Sequence, residues 1–143
     1  MLDRFKHILI PLDFSDKNDV ALEAVHEFAS SNPASVSNIS LLHVIEPIGD
    51  LVDAETRKFT EQLRKHSENE LLKRAQRFSD LDIMVSCENR SGNRVSETLT
   101  FVEESAVNLI VLNSHQIRTG EANPTSLSYQ IAILAGCPVL LLK

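Results

Sequence analysis

Five short apolar runs, separated by longer segments of helical period, constrain the fold of this chain more than any other feature. His7–Leu12, Ile39–Ile45, Asp82–Cys87, Leu109–Leu112 and Val139–Leu142 read as strands. The runs are continuous rather than alternating; Ile39–Ile45 is apolar except for Ser40 and His43. Continuous apolarity fits strands covered on both faces, as in a parallel sheet. The segments between them read as helices. Val20, Ala21, Ala24, Val25 and Phe28 form one apolar face behind a cap at Ser15 or Asp16, and Ser30–Ser35 is a turn cluster that stops the helix. Ala54–Phe78 is a long polar helix with Phe59, Leu63, Leu71, Ala75 and Phe78 as its sparse apolar positions. Its middle, Arg64–Glu70, reads as a solvated face, with Glu61–Lys65 and Glu70–Arg74 as acid–base pairs. After a Ser91-Gly92-Asn93 turn, Val95, Leu99, Val102 and Ala106 mark a third helix. A fourth, Ser126–Ala135, carries Leu127, Ile131 and Leu134 on one side and ends at Gly136. The order β-α-β-α-β-α-β-α-β predicts an α/β fold: an open, doubly wound, five-stranded parallel sheet with right-handed crossovers and helices on both faces.

The 143 residues suit a single domain spanning 1–143, and 43% hydrophobic content supplies a core. A net charge of −6 excludes the basic footprint expected of a nucleic-acid or acidic-membrane binder. Cys87 and Cys137 have no metal-knuckle spacing and read as buried free thiols. No apolar run approaches a membrane span, and Met1–Lys6 lacks a signal-peptide core, so a cytoplasmic location is expected.

In open α/β sheets ligands sit outside the carboxyl ends of the strands. The first strand ends in Pro11-Leu12-Asp13-Phe14-Ser15 and delivers Asp13 to that edge; the loop from Asn113 to Ser126 is its counterpart after the fourth strand. Asp13 equally suits a local role, capping the first helix or bonding nearby backbone. Ser15 reads as a cap rather than a nucleophile, His43 as a hydrogen-bonded core residue, and Ser126 as a helix cap more than a phosphate ligand.

Several pieces in order resemble the universal stress protein family over the whole chain. They are His7-Ile8-Leu9-Ile10-Pro11-Leu12-Asp13-Phe14-Ser15, Leu41-Leu42-His43-Val44, Gly92, Asn108-Leu109-Ile110-Val111-Leu112-Asn113-Ser114-His115, and Cys137-Pro138-Val139-Leu140-Leu141-Leu142. The resemblance implies strand order 3-2-1-4-5 and a cytoplasmic, dimeric protein of stress survival. It also implies two branches, one of which binds ATP. In that branch the adenine end is held at positions matching Pro11, Leu12, Asp13 and the backbone near Val44. The phosphates lie on a loop reading Gly-x-x-Gly, nine residues, then Gly-Ser or Gly-Thr. Here Asn113, Gln116 and Thr125 stand at the three glycine positions, Ser126 keeps the final hydroxyl, and the spacer Ile117–Pro124 is one residue short.

Phosphate cradles use glycine because backbone N–H groups must come close, often at positive φ. Asn113 tolerates that region, whereas Gln116 and β-branched Thr125 fit it poorly, and Pro124 removes a donor. Arg118 supplies a cation, His115 a second when protonated, Ser114 at the start of the loop is a further candidate nucleotide-binding residue, and Thr125 and Ser126 sit at the start of the last helix, where an anion is favoured. The expected function is therefore a dimeric stress-response domain with weak, altered or no ATP binding and without classical turnover. The alternative is an ATP-binding member, with Mg²⁺, that hydrolyses slowly or phosphorylates itself. A phosphoacceptor receiver is a third reading, but only one acid follows strand one and none ends strand three in its pattern. Val139–Leu142 reads as a sparsely charged edge strand suited to pairing with a second copy, and the resemblance places the homodimer contact there.

Overall fold

The computed structural model describes residues 5–47, 53–113 and 126–143. The elements follow in the order β1 (His7–Pro11), α1 (Asn18–Ser31), β2 (Asn38–Ile45), α2 (Ala54–Ala75, continued by a 3₁₀ turn Gln76–Phe78), β3 (Met84–Ser91), α3 (Arg94–Glu104), β4 (Leu109–Asn113), α4 (Leu127–Leu134) and β5 (Val139–Leu142). The strands form one parallel sheet in the order β3-β2-β1-β4-β5, as expected. The chain reverses direction across the sheet between β1 and β4, where Ile8 pairs with Leu109 and Leu9 with Ile110. That junction is the topological switch point.

The period-two alternation of the strands divides the core in two. Ile8, Ile10, Ile39, Leu41, Leu109 and Val111 face α1 and α2, meeting Leu22, Val25, Leu71 and Phe78. Leu9, Leu42, Val44, Ile110 and Leu112 face the other way, toward Phe101 and Val102 of α3 and Ile131 of α4. Each fully buried aliphatic side chain contributes roughly 1.5–3 kcal/mol. The two polar interruptions of β2 are both satisfied. Ser40 is buried and shares a hydrogen bond of 2.6 Å with His7 Nε2. His43 Nδ1–H donates to the Leu12 carbonyl at 2.7 Å. Because a carbonyl only accepts, that bond fixes the proton on Nδ1.

Several local expectations give way. Neither Ser15 nor Asp16 caps α1 by its side chain; Lys17 occupies the cap position and makes no capping hydrogen bond to the first turn. The buried face of α1 is Asn18, Ala21, Leu22, Val25 and Ala29, and Val20 is exposed. β3 runs from Met84 to Ser91, beyond the expected Asp82–Cys87, because it pairs with the whole of β2 from Asn38↔Met84 to Ile45↔Ser91. At the sheet edge its polar residues need little cover, and Cys87 is exposed rather than buried. Cys137 is half-buried, and that burial holds its thiol above the usual range.

On α3 the inward face is Thr98, Phe101 and Val102; of the expected Val95, Leu99, Val102 and Ala106 only Val102 is buried. Ala106 lies past the helix at φ 52°, and the next N–H, of Val107, donates to Val102 O at 3.1 Å. This is a Schellman-type ending with alanine where glycine is favoured. On α4 Ile131 is buried, but Leu134 is largely exposed. Arg64 takes the place of Lys65 in bonding Glu61, while the Glu70–Arg74 pair forms as expected. The polar middle of α2 is not wholly solvated: Ser67 is buried, its hydroxyl donating to Leu63 O at 2.8 Å.

Candidate functional site

A half-open cleft lies at the carboxyl ends of β1, β2 and β4. Pro11, Leu12 and Asp13 line it from β1, Leu42 and Val44 from β2, and Leu112 and Asn113 from β4. The starts of three helices wall it: Lys17 and Asn18 of α1, Arg94 and Thr98 of α3, and Leu127 and Ser128 of α4. Five residues singled out in the sequence, Pro11, Leu12, Asp13, Val44 and Asn113, thus converge on one cleft at the switch point. Ser114, Gln116, Arg118 and Thr125 lie outside the described residues. Ser126 is the N-cap of α4, its hydroxyl accepting from Tyr129 N–H at 3.3 Å, which bears out the capping role.

The Asp13 loop is built by a residue that the periodicity of α1 conceals. Asn18 is 6% exposed, and its Oδ1 accepts both the Asp13 N–H (3.1 Å) and the Phe14 N–H (2.8 Å). Asp13 in turn accepts Ser15 N–H through Oδ1 at 2.9 Å, a local turn of the kind expected of aspartate, while its side chain stays exposed at the cleft. Phe14 sits at φ 66°, a conformation that costs an L-residue roughly 1–2 kcal/mol. Its ring is held on three sides. It stacks on His43 at 4.2 Å between centroids, meets His66 edge-on at 6.4 Å, and lies under the Arg74 guanidinium at 5.0 Å. Arg74 also donates to the Phe14 carbonyl at 3.3 Å. The polar helix α2 thereby braces the loop that carries Asp13.

Burial pushes the His43 pKa below its usual value, against the Leu12 hydrogen bond; Arg94 and His66 lower it further and Asp13 raises it. His43 is thus a neutral, oriented support and not a proton donor at neutral pH. On the opposite wall the Ser128 hydroxyl donates to the Asn113 carbonyl at 2.9 Å and ties α4 to the end of β4. The Asn113 Oδ1 atom is buried without a hydrogen-bond partner among the described residues. The cleft therefore combines an apolar floor, an exposed carboxylate and a buried amide, the lining typical of a small-molecule site. Among the described residues no three His, Cys, Asp or Glu side chains group as a metal site.

Sequence reasoning missed Asn18, Arg94, Thr98 and Ser128. Asn18 and Thr98 were hidden because each looks like an ordinary polar helix residue. Arg94 had a signal: it is the basic residue that opens α3 directly after the Gly92-Asn93 turn. Strand order also speaks against the receiver reading. β2 lies between β3 and β1, so an acid on β3 would stand two strand spacings, roughly 10 Å, from the Asp13 strand.

The universal stress protein family model matches residues 4–143. The chain belongs to the universal stress protein family. Its fold is shared with the universal stress protein UspA from Lactobacillus plantarum, at 18% identity and a TM-score of 0.80, covering 98% of this chain and 99% of that one. A universal stress protein solved in complex with cAMP matches at 13% identity and a TM-score of 0.73, with 98% of both chains covered. One from Arabidopsis thaliana with AMP bound matches at 15% identity and 0.69, covering 96% of this chain and 91% of that one. No curated protein sequence matches the chain. No helix among the described residues is long and apolar enough to cross a membrane.

Proposed function

We propose that this universal stress protein binds an adenine nucleotide in the switch-point cleft, with Asp13 at the nucleoside end, and serves as a ligand-responsive binding protein in a cytoplasmic stress response rather than as a turnover enzyme. The observation that carries the reading is the convergence of Asp13, Val44 and Asn113 on one cleft, with Asn18 and Phe14 fixing the Asp13 loop. Family members solved with cAMP and with AMP support the choice of ligand class. Affinity for ATP is low, because Gln116 and Thr125 replace glycines where a triphosphate would need close backbone donors. Calorimetry with adenosine, AMP and Mg·ATP tests this. Binding of the smaller ligands with equal or weaker binding of ATP supports it; absence of binding by all three at millimolar concentration overturns it.

We further propose a homodimer joined along β5. This strand is the edge of the sheet beside β4, and Leu140 and Leu141 are 45% and 39% exposed. Ile133 and Leu134 of α4 extend the exposed apolar surface. Among the described residues no strand lies beyond β5, and an apolar edge of this kind invites pairing with another copy.

A further inference from the structure

We propose that Arg94 is the anion-recognising residue of the cleft and selects nucleotides over nucleosides; this rests on the adenine-nucleotide reading above. The chain carries a net charge of −6, so its overall field opposes an anionic ligand, and Asp13 adds a negative charge at the cleft itself. A nucleotide therefore needs a local cation; among the described residues Lys17 and Arg94 are the basic side chains that line the cleft, and only Arg94 offers a planar guanidinium. Three of the described arginines are tightly engaged elsewhere. Arg74 bonds Glu70 and covers Phe14, Arg77 meets Asp19 at 2.6 Å, and Arg90 meets Glu104 at 2.7 Å and Glu88 at 2.9 Å. Arg94 differs. It lines the cleft, and its nearest carboxylate among the described residues is Glu46 Oε1 at 3.9 Å, with both side chains about half exposed (45% and 57%). Such a pair is weak and solvent-screened, so exchanging it for a ligand costs little.

The backbone holding Arg94 is rigid where the side chain is loose. Asn93 caps α3 by accepting Ser96 N–H at 3.0 Å, and the buried Thr98 hydroxyl donates to the Arg94 carbonyl at 2.7 Å. The guanidinium thus swings from a fixed base on one wall. Its planar donors match the oxygens of a phosphate in a bidentate pair, which a lysine does not reproduce. On this account Arg94 supplies positive charge to a chain whose sequence has Gln116 and Thr125 where the family pattern has glycine. The favoured ligand is then a nucleotide with one compact phosphate group, such as a nucleoside monophosphate.

The test is calorimetric titration of the full chain with adenosine and with AMP, in the parent, Arg94→Ala, Arg94→Lys and Glu46→Gln proteins. The preference for AMP over adenosine should fall about ten-fold or more in Arg94→Ala, the scale of a lost charged hydrogen-bonded pair. Arg94→Lys should recover only part of it, and Glu46→Gln should strengthen AMP binding while leaving adenosine unchanged. Equal weakening of adenosine and AMP in Arg94→Ala, or no change in their ratio, overturns the assignment of Arg94 while leaving the nucleoside site standing. Failure of the parent to bind adenosine and AMP overturns both readings. Circular dichroism melting of each variant separates misfolding from lost recognition, since the half-exposed Arg94 should not alter stability.

Discussion

Replacing Asn18 with alanine should destabilise the protein far more than its place on a polar stretch of α1 suggests. The side chain is 6% exposed, and one oxygen accepts two backbone N–H groups, of Asp13 and Phe14. A neutral hydrogen bond contributes about 1 kcal/mol net, and a buried donor left unpaired costs about 1–3 kcal/mol. Two donors in a partly solvated loop therefore give a loss of about 2–3 kcal/mol, or roughly 5–10 °C in melting temperature for a chain of this size. Asn18→Asp retains the acceptor and should lose less than half as much, the remainder reflecting a second carboxylate near Asp13. Urea denaturation followed by circular dichroism gives the comparison. A loss below about 0.5 kcal/mol for Asn18→Ala, well under the cost of one unmade bond, would refute the role assigned to Asn18. So would an aspartate variant as unstable as the alanine variant, because the acceptor would then not be what matters.

Ala106→Gly should stabilise the fold by about 0.5–1 kcal/mol, since φ 52° at the end of α3 suits glycine; a lower urea midpoint would contradict this. His43 should make the protein less stable in mild acid. Its folded pKa lies below the unfolded value near 6.5, so the unfolded chain takes up a proton first. This contribution is complete above pH 6.5 and falls away as the pH drops from there toward the folded pKa. His43→Asn, which keeps a donor for Leu12, should show a flatter stability curve across that window, and an unchanged curve would sink the idea. Leu141→Lys on the exposed edge should convert the proposed dimer to monomer in light scattering, whereas a parent protein already monomeric at high micromolar concentration would remove the β5 contact from the account.

The fold was legible because its information is redundant. Each buried strand is an apolar run, and the alternation with helices leaves few topologies. β3 was the exception, and for a physical reason. At the edge it needs no continuous apolar run, so its length is set by the partner strand β2, through Asn38↔Met84 to Ile45↔Ser91, and not by its own residues. Half of the cleft was legible too. Asp13 follows a strand that stops at Pro11, and Asn113 ends another, so topology alone brings them together. Asn18 and Thr98 were not, because their roles depend on which way a helix start faces; Arg94 left only the weak signal of a basic residue after a turn. His43 was legible as a hydrogen-bonded core residue, but its partner was not, nor was that of Ser40: Leu12 O and His7 Nε2 lie 31 and 33 residues away in sequence and adjacent in the sheet.

The most direct test of the central claim is an amide NMR titration of the intact protein with AMP. The account predicts saturable shifts concentrated on Leu12, Asp13, Val44 and Asn113, weakened in Asp13→Ala without loss of fold. No saturable shift at about 5 mM AMP, a concentration that would reveal even millimolar affinity, would contradict it. Shifts confined to another surface would contradict it equally.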